Sequence, residues 1–114
     1  KSQVNALRSL QAPSGLWHTV LTDPDSYEET SGSAAIAAGI LKGIKIGILD
    51  DSYKECAQKA LKGICGQVAE DGTVLGVSAG TAMGYDADHY KNIAIHPMAY
   101  GQSLTLIALC EALD

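Results

Sequence analysis

The sequence lacks any run of like charges and any low-complexity tract. With 46% hydrophobic and 18% charged residues, it is not composed like a disordered chain. Basic character is also scarce. The net charge of −5 offers no stripe to neutralise phosphates, which excludes nucleic acid as a partner and leaves a neutral or sugar-like ligand open. No uninterrupted apolar stretch approaches the length of a membrane span, and the start has no signal-peptide pattern, so no membrane partner is expected. Cysteine is limited to Cys56, Cys65 and Cys110, an odd number without C-x-x-C spacing, each in an apolar stretch that reads as helix. Three buried free thiols in a reducing compartment, hence a cytoplasmic setting, are expected in place of a disulfide framework or a zinc site. Nucleophile-elbow, phosphate-loop and dinucleotide patterns are absent, and no cofactor is expected.

At 114 residues the chain corresponds to one domain or less. It opens on Lys1-Ser2-Gln3-Val4-Asn5-Ala6-Leu7, which reads as helix without an initiator Met or a capping residue. The expectation is an internal piece of a larger helical protein. Val4, Leu7 and Leu10 recur at helical spacing until Ala12-Pro13-Ser14-Gly15 stops the pattern. Leu16-Trp17-His18-Thr19-Val20-Leu21 is short and β-prone, then broken by Asp23-Pro24-Asp25, and predicts an extended connection.

From Thr30 to Ile48 the residues are small or apolar almost all round, as in a helix buried on every side. Thr30 or Ser31 is the expected cap. The glycines Gly32, Gly39 and Gly43 weaken a helix by roughly 1 kcal/mol each, so close helix packing is the expected reason for them. The next helix, from Asp51 to about Gly66, is predicted to bury Tyr53, Cys56, Ala57, Ala60, Leu61 and Ile64 and to keep a solvated lysine face. It is expected to be capped by Asp50, Asp51 or Ser52. A turn at Glu70-Asp71-Gly72-Thr73, strand-like residues 74–78 and a partner at residues 92–95 follow. They flank a long polar and aromatic loop, residues 79–90, of the kind that carries function. Residues 100–110 return to a nearly all-apolar helix. Alternation of amphipathic and apolar helices predicts an all-α fold built as part of a toroid of helical hairpins, with a short β-hairpin-like insertion.

Chemistry is expected first at Gly15-Leu16-Trp17-His18 and Tyr27-Glu28-Glu29-Thr30-Ser31-Gly32-Ser33. Both precede a helix N-terminus, where backbone N–H groups and the helix dipole favour oxygen-rich ligands. Trp17 could stack on a sugar and His18 could bond a hydroxyl or carboxylate, although composition favours a packed Trp and a His satisfied by backbone. Adjacent Glu28 and Glu29 do not form an acid/base pair across a substrate, and one of them is expected to cap the helix. In residues 81–90 the Asp86-x-Asp88-His89 string completes neither EF-hand nor zinc spacing, so no metal is expected.

The strings from Gly15 to Leu21, Asp23 to Ser31, Gly43 to Tyr53, Gly80 to Asp86 and Pro97 to Gln102 resemble the C-terminal part of the unsaturated rhamnogalacturonyl and unsaturated glucuronyl hydrolases (glycoside hydrolase families 105 and 88). The resemblance implies that residues 1–114 are the C-terminal fragment of an (α/α)6-barrel enzyme. Such an enzyme releases a 4,5-unsaturated uronic acid from lyase-generated oligosaccharides by hydrating the enol-ether double bond. It also implies that the proton-transferring Asp lies on earlier helices, so the fragment alone is expected to be inactive. Trp17, His18, Met83 and Tyr100 are carried over as substrate-pocket positions. Ala82 and Ala99 stand where many relatives carry Pro. Incomplete, the barrel piece is expected to self-associate or to pair with the missing segments. The alternative is a non-catalytic helical module that binds carbohydrate or protein.

Overall fold

The computed structural model describes residues 2–80 and 84–113. The chain is helical throughout its core: α1 (Ser2–Leu10), α2 (Thr30–Lys45), a 3-10 turn at Asp51–Tyr53 running into α3 (Lys54–Cys65), the short α4 (Ala87–Lys91) and α5 (Ala99–Leu113). Among the described residues the β structure amounts to three isolated antiparallel bridges, His18 with Glu28, Val68 with Val74 and Ser78 with Ile95. α2 is the central element and packs against both α3 and α5. α1 lays Val4, Leu7 and Leu10 on the same core.

The face predicted for α3 is the face it buries. Tyr53, Cys56, Ala57, Ala60 and Ile64 are all covered, with Leu61 at the edge, because apolar residues at three- and four-residue steps share one side of a helix. Asp50 caps this unit by accepting from the Ser52 amide at 2.9 Å. The loop before residue 17 lies directly on α3. Gly15 sits at φ 95, and a Cβ there would meet the Lys59 carbonyl oxygen at 2.0 Å, so no other residue fits without moving the helix.

Several expectations are corrected. α2 ends at Lys45, three residues before the predicted end, and Gly47 turns the chain at φ 79. Of the two expectations for its cap, the glutamate holds and Thr30 or Ser31 does not: the Glu29 side chain accepts from the Gly32 amide, whereas the Thr30 hydroxyl is buried without a partner. α2 is not buried on every side within this chain: Gly32, Ala35 and Gly39 are exposed. Of its glycines only Gly43 is closely packed, since a Cβ there would meet Leu49 Cδ1 at 2.8 Å, while nothing lies near Gly39. Among the cysteines Cys56 alone is buried; Cys65 and Cys110 are exposed, and all three are free. Burial pushes the Cys56 thiol up, which keeps it protonated and unreactive. α5, expected over residues 100–110, runs on to Leu113 and exposes Leu106, Ile107 and Leu113. Inside the predicted loop, α4 forms because Asp86 accepts from the His89 amide at 3.0 Å and closes a short turn of helix.

Candidate functional site

An open recess of about 270 Å³ lies at the start of α2, lined by Trp17, His18, Thr19, Leu21, Glu29, Ser31, Gly32, Ser33 and Ile36. The extended segment before α2 forms one wall. Thr19 N donates to Tyr27 O at 2.8 Å and Glu29 N donates to Trp17 O at 2.9 Å, so the chain folds back on itself and delivers residues 17–19 beside the first turn of α2. Ser33 locks that wall to the helix. Its hydroxyl accepts from Trp17 N at 2.9 Å and donates to Glu29 O at 2.7 Å.

Trp17 is 1% exposed and its indole N–H donates to Leu7 O at 2.7 Å. The ring therefore fills the space between α1 and the recess and shapes the floor, and it does not offer an open stacking face. His18 is held by Nδ1, 2.6 Å from Ser26 O. A carbonyl only accepts, so Nδ1 carries the proton and Nε2 is the ring atom left for a ligand. Ser26, itself 4% exposed, is fixed by donating to Asp23 O at 2.7 Å.

The helix N-terminus is less open than its position predicts. Thr30 N donates to Gly76 O, Gly32 N to Glu29 Oε1 and Ser33 N to Glu29 O, so these opening amides are already satisfied. Glu29 is engaged on both oxygens: Oε1 accepts from Gly32 N at 2.7 Å, Oε2 from Ser78 N at 3.1 Å, and Ser31 Oγ lies 2.6 and 2.7 Å from the two. Glu28 accepts from Ser14 Oγ at 2.6 Å. Neither carboxylate is arranged to pass a proton across a substrate, and what faces a ligand is an apolar floor with hydroxyl and imidazole groups at its edge.

Tyr100 stands away from the recess lining and braces the segment that leads toward residue 81. Its hydroxyl donates to Ser78 O and accepts from Gly80 N at 2.8 Å. Tyr27 OH lies 2.5 Å from Ser78 Oγ. The structure thus joins Trp17 and His18 directly, and joins Tyr100 to them only through Ser78 and Glu29. Met83 lies outside the described residues. Ser33 falls inside the candidate segment from Tyr27 to Ser33, whereas nothing in their sequence context marks Ser26 or Ser78 for a role at the site.

A second tether ties the same connection to α4: Lys91 Nζ lies 2.8 Å from Asp23 Oδ2. The lysine beside it holds the Asp23 carboxyl below the usual range, and the carboxylate raises Lys91 in turn. No group of three or more His, Cys, Asp or Glu able to hold a metal occurs among the described residues.

The whole chain, residues 1–114, matches the profile of Glycosyl Hydrolase Family 88. It is 43% identical over 114 residues to the unsaturated rhamnogalacturonyl hydrolase YesR of Bacillus subtilis, covering 99% of this chain and 31% of that protein. It is 34% identical over 77 residues to the unsaturated 3S-rhamnoglycuronyl hydrolase of Formosa agariphila, covering 65% and 20%. In structure it is similar to a possible member of the GH105 family from Salmonella enterica, with a TM-score of 0.97, 42% identity, and 98% of this chain against 30% of that one. A family 105 glycoside hydrolase from C. acetobutylicum gives 0.84 at 27% identity, covering 95% and 34%. The chain spans about a third of the length of the Bacillus, Salmonella and C. acetobutylicum proteins, and its helices reproduce that share of an (α/α)6 barrel. The chain belongs to Glycosyl Hydrolase Family 88.

Proposed function

We propose that these residues are the C-terminal part of a hydrolase that releases a 4,5-unsaturated uronic acid from lyase-generated oligosaccharides of the rhamnogalacturonan type. The reaction is hydration of the enol-ether double bond, after which the product falls apart. The observation that carries the reading is the 43% identity to the Bacillus subtilis unsaturated rhamnogalacturonyl hydrolase along essentially the whole chain. The recess supports it in a limited way, as a wall for a sugar. His18 Nε2 and the Ser31 hydroxyl supply directional polar contacts, and the floor over Trp17 supplies apolar cover. Met83 and Tyr100 are proposed as further substrate-pocket positions on the family resemblance, Tyr100 acting through the Ser78 and Gly80 backbone that its hydroxyl holds.

The proton comes from elsewhere. Glu29 and Glu28 are both committed to structural hydrogen bonds, and general acid catalysis needs a carboxyl free to reach the substrate. The chain alone is therefore without turnover. The exposed side chains of Ile46, Ile48, Leu106, Ile107 and Leu113 drive it to self-associate or to take up the remaining barrel helices. The free cysteines suit a reducing compartment, which supports a cytoplasmic setting, and no helix of the described residues is long and apolar enough to cross a membrane.

The test is to add unsaturated galacturonyl-rhamnose to the purified chain and follow the ultraviolet absorbance of its double bond, with the mass measured by light scattering. Unchanged absorbance from an associated species is expected. Loss of absorbance catalysed by a monomer would place the proton donor within these residues.

A further inference from the structure

We propose that Glu29 is a positioning residue that couples the recess to residues 78–80, so that both carry a ligand as one wall. The ligand in this statement rests on the functional reading above, but the coupling rests on geometry alone. A carboxylate at a helix cap ordinarily serves its own first turn. Glu29 does that through Oε1 and the Gly32 amide, and with Oε2 it takes the amide of Ser78, 49 residues away in sequence. Bonds to an ionised acceptor are the stronger kind.

Ser78 is fixed from the other sides as well. It is 5% exposed, its hydroxyl meets Tyr27 OH at 2.5 Å, its carbonyl accepts from Tyr100 OH, and it pairs across the bridge with Ile95. The two sides also meet at Gly76, whose carbonyl accepts from Thr30 N at 2.8 Å. Gly76 lies at φ 72, and a Cβ there would stand 2.7 Å from Thr30 Oγ1, so the approach requires glycine. With three donors on its two oxygens, Glu29 holds geometry. A shift of Ser78 would move Gly80 and the Tyr100 hydroxyl, and through Glu29 it would also move Ser31 and Gly32 in the recess lining.

The experiment is Glu29→Gln in the 114-residue chain, read by amide hydrogen exchange in NMR. Gln keeps one acceptor oxygen for the cap and replaces the other with an NH₂ that cannot accept. Exchange at Ser78 is expected to rise about tenfold, as loss of a bond to a charged acceptor implies, with the α3 amides unchanged. Tyr27→Phe removes only the hydroxyl contact to Ser78 and should leave the Ser78 amide protected. With unsaturated galacturonyl-rhamnose as the probe, Glu29→Gln should weaken binding about tenfold while Tyr27→Phe leaves it unaltered, a difference that loss of a structural tie alone would not produce. Unaltered exchange at Ser78 overturns the coupling, and raised exchange with unaltered affinity overturns the positioning. Failure of the unsubstituted chain to bind the disaccharide counts against the functional reading instead, and the Ser78 exchange then decides the coupling by itself.

Discussion

The unit formed by α2 and α3 and the stretch from Gln67 to Met98 are held together by different forces. In the first, Ala34, Ala37, Ala57, Ala60 and Ile64 are fully covered, so helix meets helix through small residues and stability comes from excluded water and dense packing. Among the described residues of the second, Val74 and Val77 are the buried apolar anchors. The rest is carried by bridges and by side chains that reach backbone groups: Gln102 to Val74 N and Gly72 O, Tyr100 to Ser78 and Gly80, Asp86 to His89 N. A region built on packing fails as a whole when one large residue is removed. A region built on separate hydrogen bonds should loosen one link at a time.

Substitutions can sharpen or break that contrast, and the largest effect is expected in the packed region. Trp17→Ala should cost about 3–5 kcal/mol, the range for deleting a buried aromatic, read by urea unfolding followed by circular dichroism. A loss below 1 kcal/mol would mean the ring is not part of the core. Ser33→Ala comes next. It strips Trp17 N of its acceptor and should cost about 1–3 kcal/mol, the penalty for an unsatisfied buried donor.

On the other side, Tyr100→Phe should speed amide exchange at Gly80 while global stability falls by only about 1 kcal/mol. A global loss as large as that of Trp17→Ala would erase the distinction between the regions. The Asp23–Lys91 tether has a defined pH window. Asp23 is depressed, so its contribution is present above its ordinary value of 3.8 and is lost as pH falls through the lowered folded value. Lys91 is raised, so its contribution holds below 10.5 and is lost as pH rises through the raised value. Acid or high salt should therefore release α4 from the 20–25 segment, seen as faster exchange in residues 87–91 with the core unaffected. The smallest effect has the opposite sign. Thr30→Val removes a buried hydroxyl that has no partner and should be neutral or stabilising by up to about 1 kcal/mol.

The same division explains what could be read from the sequence. The apolar face of α3 was legible residue by residue because helical periodicity encodes it, and the helical toroid followed from the alternation of helix types. α4 was not legible, since five residues opened by an Asp86 cap carry no period. The apolar run of α5 was legible, whereas which of its sides stay open, at Leu106, Ile107 and Leu113, depends on neighbouring helices that no local pattern specifies. At the site, Trp17 and His18 were found by residue type, and Glu29 as a cap by its place before α2. Its reach to Ser78 could not be found that way. The partner is a backbone amide, and no side-chain pattern marks which amide the fold brings to a carboxylate.

The recess at the start of α2 is the proposed seat of a sugar. Chemical-shift mapping of the chain with unsaturated galacturonyl-rhamnose tests it most directly. Perturbations centred on His18 Nε2 and the amides of residues 31–33 are the predicted result. Perturbations confined to the separate recess beside Gln102 and Leu106 would contradict it.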